Sequence, residues 1–192
     1  MKLKGISNAL AIAVSLGVGL LGVTVYSAIP NILAEGTIAN SKLFNGPAKV
    51  TVRTLTIKRG EALAWHYHPG YAFNVVKSGN LTVEDGCGGE ETLISGQAFE
   101  EMDGRVHRAK NLSATEDVVV YNTFIMPQGK PTTVNIPANE RRCGPPEDVD
   151  ECKDDGWLKF THPQGFTNQG QCVAFVRHRP RNVIPFPEDP LN

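Results

Sequence analysis

The chain has 192 residues, 41% of them hydrophobic, which is enough for one domain of ordinary size with additions and excludes wholesale disorder. Its 19 Lys and Arg stand against 20 Asp and Glu, so the net charge is −1 and no basic face is available for nucleic acid. Glycine (19) and proline (13) are plentiful, and no long helical pattern follows the N-terminal region, so short strands joined by tight turns are expected.

The first element is a tract that decides the compartment. Lys2 and Lys4 precede an uncharged run from Gly5 to Ala34, apolar at its centre from Ala9 to Val25. A positive start before such a run reads as a signal peptide, with cleavage after Ser27 or after Ala34. The run also exceeds the roughly 20 residues of a spanning helix, so residues 1–34 are read as a signal peptide or an N-terminal transmembrane anchor. Either way the rest of the chain is expected outside the cytoplasm: secreted, periplasmic or anchored, with the membrane touched only through this segment.

A linker from Gly36 to Pro47 comes next, then a series of strands. Val50 to Ile57 alternates but slips phase near Arg53 and Thr54, which predicts a bulge. Strands follow over Ala62 to His68, Tyr71 to Val76, Leu81 to Glu84, Glu91 to Ile94, Gln97 to Glu100 and Val106 to Lys110. The longest, Asp117 to Met126, ends the set at Pro127. Many short strands at this spacing predict a sandwich or barrel over residues 46–127. Residues 128–150 are proline-rich and are read as a linker with an acidic end (Glu147, Asp148, Asp150, Glu151). Residues 151–178 form a small C-terminal unit.

Two residue types carry chemistry. His66 and His68 are two apart on a predicted strand, so their rings project from one face and converge if that face lines the barrel. His107 lies on a later strand, positioned to join them. Three imidazoles at one point are what a transition metal needs. His162 and His178 are read as surface residues. The four cysteines, Cys87, Cys143, Cys152 and Cys172, form no C-x-x-C. An even count in an exported chain predicts disulfides rather than a zinc ribbon, with three pairings open.

The stretches GEALAWHYHPGYAFNVVKSG (Gly60 to Gly79) and GQAFEEMDGRVHRAKN (Gly96 to Asn111) resemble the paired motifs of the cupin superfamily. Gly60, His66, His68 and Gly79 fall on the first motif, and Gly96, Gly104, His107 and Asn111 on the second. Met102 stands where the second motif has proline. The resemblance implies an all-β jelly-roll barrel, with a divalent transition metal held by His66, His68 and His107 and a small ligand in the barrel mouth. The glutamate of the first motif would fall at position 72, which is alanine. That loss should disfavour hard cations such as Mg²⁺ and leaves Fe, Zn, Ni, Cu or Mn. Glu100 or Glu101 is an alternative source of a carboxylate, and Ala72 is expected to leave a gap beside the histidines.

The wording of both motifs is similar to that of exported bacterial cupins carrying one cysteine in the loop after the first motif and another past the barrel. Cys87 and Cys143 occupy those places. The segment from Cys152 to Val173 resembles a short C-terminal module of exported bacterial proteins, in which Trp157, Phe160, Phe166 and Phe175 would pack around a bridge. These resemblances imply the pairs Cys87–Cys143 and Cys152–Cys172. Two functions are carried forward: a module that binds a metal or small ligand, and a metal-dependent dioxygenase or isomerase acting on a small molecule. Tyr67, Tyr71 and Tyr121 are candidate contributors to the second. Whether the barrel pairs into a homodimer is left open.

Overall fold

The computed structural model describes residue 28, residues 30–137 and residues 142–178. The tract read as a signal or anchor lies, through Ser27, outside the described residues. Among the described residues no helix is long and apolar enough to cross a membrane.

Ten strands appear in chain order: β1 (Asn31–Ser41), β2 (Gly46–Ile57), β3 (His66–Tyr67), β4 (Tyr71–Ser78), β5 (Asn80–Asp85), β6 (Glu90–Ile94), β7 (Ala98–Glu101), β8 (His107–Lys110), β9 (Val118–Pro127) and β10 (Val134–Asn135). They form two five-stranded sheets, ordered β1-β2-β9-β4-β7 and β10-β3-β8-β5-β6, with every pairing antiparallel. Leu55, Ile57, Val76, Val118 and Val120 of the first sheet pack on Leu81, Leu93 and Ala109 of the second, so the sheets close face to face over one apolar core. The turn from β4 to β5 is sharp. Gly79 sits there at φ +78°, and a Cβ on it would stand 2.8 Å from the Asp117 carbonyl oxygen. Only glycine meets both demands.

Three features differ from the sequence reading. The expected linker from Gly36 is largely strand: β1 pairs with β2 from Asn31↔Thr54 to Ser41↔Gly46. Its side chains are almost all exposed, so the apolar periodicity that marks a core strand was never present. The irregularity expected near Arg53 lies on the neighbouring strand: β1 shifts register between Ile32 and Ala34, opposite Arg53 and Val52, while β2 itself stays regular. β2 pairs with β9 without interruption from Ala48↔Pro127 to Ile57↔Val118. Arg53 simply faces inward with Leu55 and Ile57, a polar residue on the inner face. The proline-rich stretch after β9 also does more than link. β10 pairs with β3, Asn135 opposite His66 and Val134 opposite Tyr67, and the Ile136 amide donates to the Trp65 carbonyl.

The C-terminal unit consists of two 3-10 turns (Asp150–Cys152 and Gly156–Lys159) and a helix, α1 (Gln169–His178). Disulfides join Cys87 to Cys143 and Cys152 to Cys172. Cys143, Cys152, Phe160, Cys172 and Val176 are buried in one cluster, flanked by Cys87, Trp157, Phe166 and Phe175. A segment too short for a core of its own thus gathers its aromatic rings around sulfur bridges, one of which is anchored in the barrel. Arg105 makes the polar side of the joint. Its guanidinium donates to the Pro145 carbonyl at 2.8 Å and pairs with Glu151 at 3.2 Å, Asp85 at 3.4 Å and Glu147 at 3.6 Å. Two members of the acidic patch therefore clamp the appendage to the barrel.

Candidate metal centre

β3 is two residues long, yet it places the first two histidines. His66 and His68 flank Tyr67, so alternation sends both rings inward and the phenol outward. His66 is the direct cross-strand partner of His107 on β8, which brings the third ring alongside. The turn before β8 is secured to the same place: Gly104, at φ +77°, donates its amide to the His68 carbonyl at 2.9 Å. All three rings are buried, and their ligand atoms lie within 4.8 Å of one another.

The backbone determines which nitrogen faces the centre. His66 Nδ1 lies 2.8 Å from the Ala64 carbonyl, His68 Nδ1 2.5 Å from that of Thr132, and His107 Nδ1 2.9 Å from that of Arg105. A carbonyl only accepts, so each Nδ1 carries the hydrogen and each neutral ring turns a bare Nε2 lone pair inward. Backbone oxygens that orient ligating imidazoles in this way are the usual outer support of metal sites. Thr132 belongs to the stretch read as a linker, so that stretch supports the site.

The carboxylate comes from β7, where the sequence offered Glu100 or Glu101. Ala72 on β4 pairs with Glu101 on β7, and Glu101 fills the place left beside the histidines. Its Oε2 is 3.2 Å from His68 Nε2 and its Oε1 3.0 Å from His107 Nε2. The expected gap beside Ala72 is therefore occupied. The contact with His107 is short but is not aligned as a hydrogen bond, and His107 Nε2 has no hydrogen-bond partner. Three inward lone pairs and a carboxylate, with no donor among them, form a set of acceptors that only a proton or a cation can satisfy.

Electrostatics shows what a proton does there. Burial works against charge on His107, but the adjacent Glu101 carboxylate outweighs it and raises the imidazole above its ordinary value. Burial likewise works against charge on Glu101, yet His107 and His68 hold it well below the carboxylate range. His66 goes the other way: burial, then repulsion from the other two rings, pushes it down to about 3. The pocket thus favours one proton shared near Glu101 and resists a second at His66.

Glu101 is held from behind by a row of interior side chains. Arg53 Nε donates to Asn122 Oδ1 at 3.0 Å, Asn122 Nδ2 to Asn74 Oδ1 at 2.7 Å, and Asn74 Nδ2 to Glu101 Oε2 at 3.1 Å. The row crosses β2, β9 and β4 at one level, since Arg53 pairs with Asn122 and Asn122 with Asn74, and steps two residues along β7 to reach Glu101. None of its members was singled out in the sequence as a site residue. The signal was there, in polar side chains at inward positions of otherwise apolar strands. The three tyrosines, by contrast, face away. Tyr121 is exposed, Tyr71 stacks near Phe44, and Tyr67 packs against His162 at 4.8 Å. His162 is buried rather than on the surface, because it covers Tyr67. His178 ends α1 and is exposed.

A groove of about 330 Å³ leads from solvent to Glu101 and His107. A void of about 30 Å³ lies deeper, lined by His66, His68, Glu101 and Arg53.

Residues 53–124 match the model of the cupin domain family. The matched segment carries both motifs, most of the antiparallel double sheet and the three inward histidines, so it is a cupin domain set within a longer chain. Among solved structures the chain is similar to a conserved double-stranded β-helix protein from Klebsiella pneumoniae, at 21% identity over 57% of this chain and 84% of that one, with a TM-score of 0.45. It is also similar to a cupin domain from Bordetella pertussis, at 24% identity over 55% of this chain and 100% of that one (TM-score 0.42). A third is a DMSP lyase from Ruegeria pomeroyi, at 11% identity over 47% and 45% of the two chains (TM-score 0.42). No curated protein matches.

Proposed function

We propose that this protein is an exported cupin that holds a divalent transition metal on His66, His68 and His107, with Glu101 beside them, and binds a small molecule at that metal. The observation that carries this reading is the orientation of the rings: three Nδ1 groups are spent on backbone carbonyls, leaving three Nε2 lone pairs and one carboxylate facing each other in a buried pocket. Imidazole suits Fe, Zn, Ni, Cu or Mn better than Mg²⁺, and the metal would supply a Lewis acid with positions open to a ligand. Export is supported by the N-terminal tract and by four cysteines that are all paired. Cleavage after Ser27 is favoured over Ala34, because the latter would cut β1 in two.

Turnover, as a dioxygenase or isomerase, is the second reading, and Glu101 favours it. A buried carboxylate next to ligating histidines and reached by the groove is placed to move a proton on a bound molecule. Elemental analysis of purified protein tests the common premise. About one transition-metal ion per chain is expected, lost in most part from His66→Ala, His68→Ala and His107→Ala but not from His178→Ala. Folded wild-type protein that takes up no metal from any of the five would end the proposal.

A further inference from the structure

Arg53 is the one residue of the interior polar row whose hydrogen-bonding capacity is largely unspent. Among the described residues it makes a single hydrogen bond, through Nε, and lies over the Phe124 ring at 4.4 Å; it has no ion pair. A guanidinium carries five donors, and neither terminal nitrogen has a protein acceptor; neither is fully buried, so both are open to water or a ligand. Its placement is specific. The His68 ring sits 5.0 Å from the centre of the same Phe124 ring, so the guanidinium and His68 lie within 9.4 Å of each other. Both line the small inner void.

Charge points the same way. Glu101 is the nearest compensating anion, but Asn122 and Asn74 stand between it and Arg53. A divalent ion on three neutral imidazoles and Glu101 would leave one positive charge, and Arg53 adds another. A doubly cationic, partly enclosed pocket favours an anionic occupant.

From this geometry we infer that Arg53 is the anchor for a carboxylate group of the small molecule bound in the barrel, with the rest of that molecule directed toward the histidines. The inference rests on the metal reading above and names its ligand class. A planar guanidinium with two adjacent unspent nitrogens matches a carboxylate in bidentate fashion, which an ammonium cannot do. The inner void holds about one water, so the ligand needs more room than it offers. Phe99 and Glu101 line both void and groove and so stand between them. A ligand reaching Arg53 from the groove would have to displace the Phe99 side chain.

The test is calorimetric titration of full-length, metal-analysed protein with malonate and succinate, with malonamide and inorganic phosphate as controls. Wild type should bind a dicarboxylate and reject the diamide. Arg53→Gln should weaken dicarboxylate binding by roughly 10- to 100-fold, the scale of a lost charge-assisted pair, with metal content unchanged. Arg53→Lys, which keeps the charge and folds under the same constraints, should recover part of the loss. Equal dicarboxylate binding by wild type and Arg53→Gln would overturn this inference while leaving the metal site standing. Phosphate binding as tight as malonate would overturn the carboxylate assignment. Metal-free wild-type protein would end the parent proposal whatever the titrations show.

Discussion

The two ends of the barrel interior are built from the same strands and do opposite things. Along β2 the inward residues run Ile57, Leu55, Arg53; along β9, Val118, Val120, Asn122; along β4, Val76, Asn74, Ala72. Each strand places a polar inward residue at one shared level: Arg53, Asn122 and Asn74. On one side of it lies the close-packed cluster of Leu55, Ile57, Val76, Leu81, Leu93, Val118 and Val120. On the other lie three histidines, a carboxylate and the row that supports it. The difference teaches how a small barrel affords a buried polar site: half of its interior supplies the hydrophobic stabilisation, and in the other half each neutral amide is hydrogen-bonded to its neighbour.

If the ends are separable, damage to one should spare the other. Leu81 is 1% exposed, and Leu81→Ala should cost roughly 2–5 kcal/mol in urea unfolding. Metal bound per folded molecule should not change. Metal lost in proportion to stability would show instead that the ends form one unit.

Glu101→Gln probes the polar end. It removes the negative charge while keeping an oxygen for Asn74, so metal affinity should fall on the order of 10- to 100-fold with little change in fold. Competition against a chelator of known affinity measures this. Unchanged affinity would reduce Glu101 to a bystander of the three histidines.

The most local effect is spread over several pH units. In chelated protein His66 is pushed down to about 3, from 6.5 in the unfolded chain, so the folded ring is neutral where the unfolded one takes a proton. Its contribution to stability is present above pH 6.5 and is lost as pH falls from 6.5 toward 3, by up to about 1.4 kcal/mol per pH unit. His107, raised, has the opposite sign: its contribution is full below the unfolded value and fades as pH rises through the folded one. Urea midpoints across this range should decline on the acid side, and His66→Leu should flatten the decline. A slope that the substitution leaves intact would assign the proton to another group.

Much of the site was legible because strand geometry is local. Two histidines two residues apart must share a face, and glycine-bounded turns such as the one at Gly79 show where strands end. The sequence by itself therefore determined the barrel class and the pairing of His66 with His68 on one inward face. What it left open were the contacts made between strands far apart in the chain. That Glu101 rather than Glu100 meets the histidines follows from its register opposite Ala72, and register is decided by how β4 and β7 pair. That Arg53 faces inward, that the Thr132 carbonyl orients His68 and that Asn31 to Ser41 adds a strand to the first sheet were likewise decided only by the tertiary structure. The physical reason is the same in each case. A polar side chain or a backbone carbonyl carries no mark of its partner, and only closure of the two sheets puts donor and acceptor within reach.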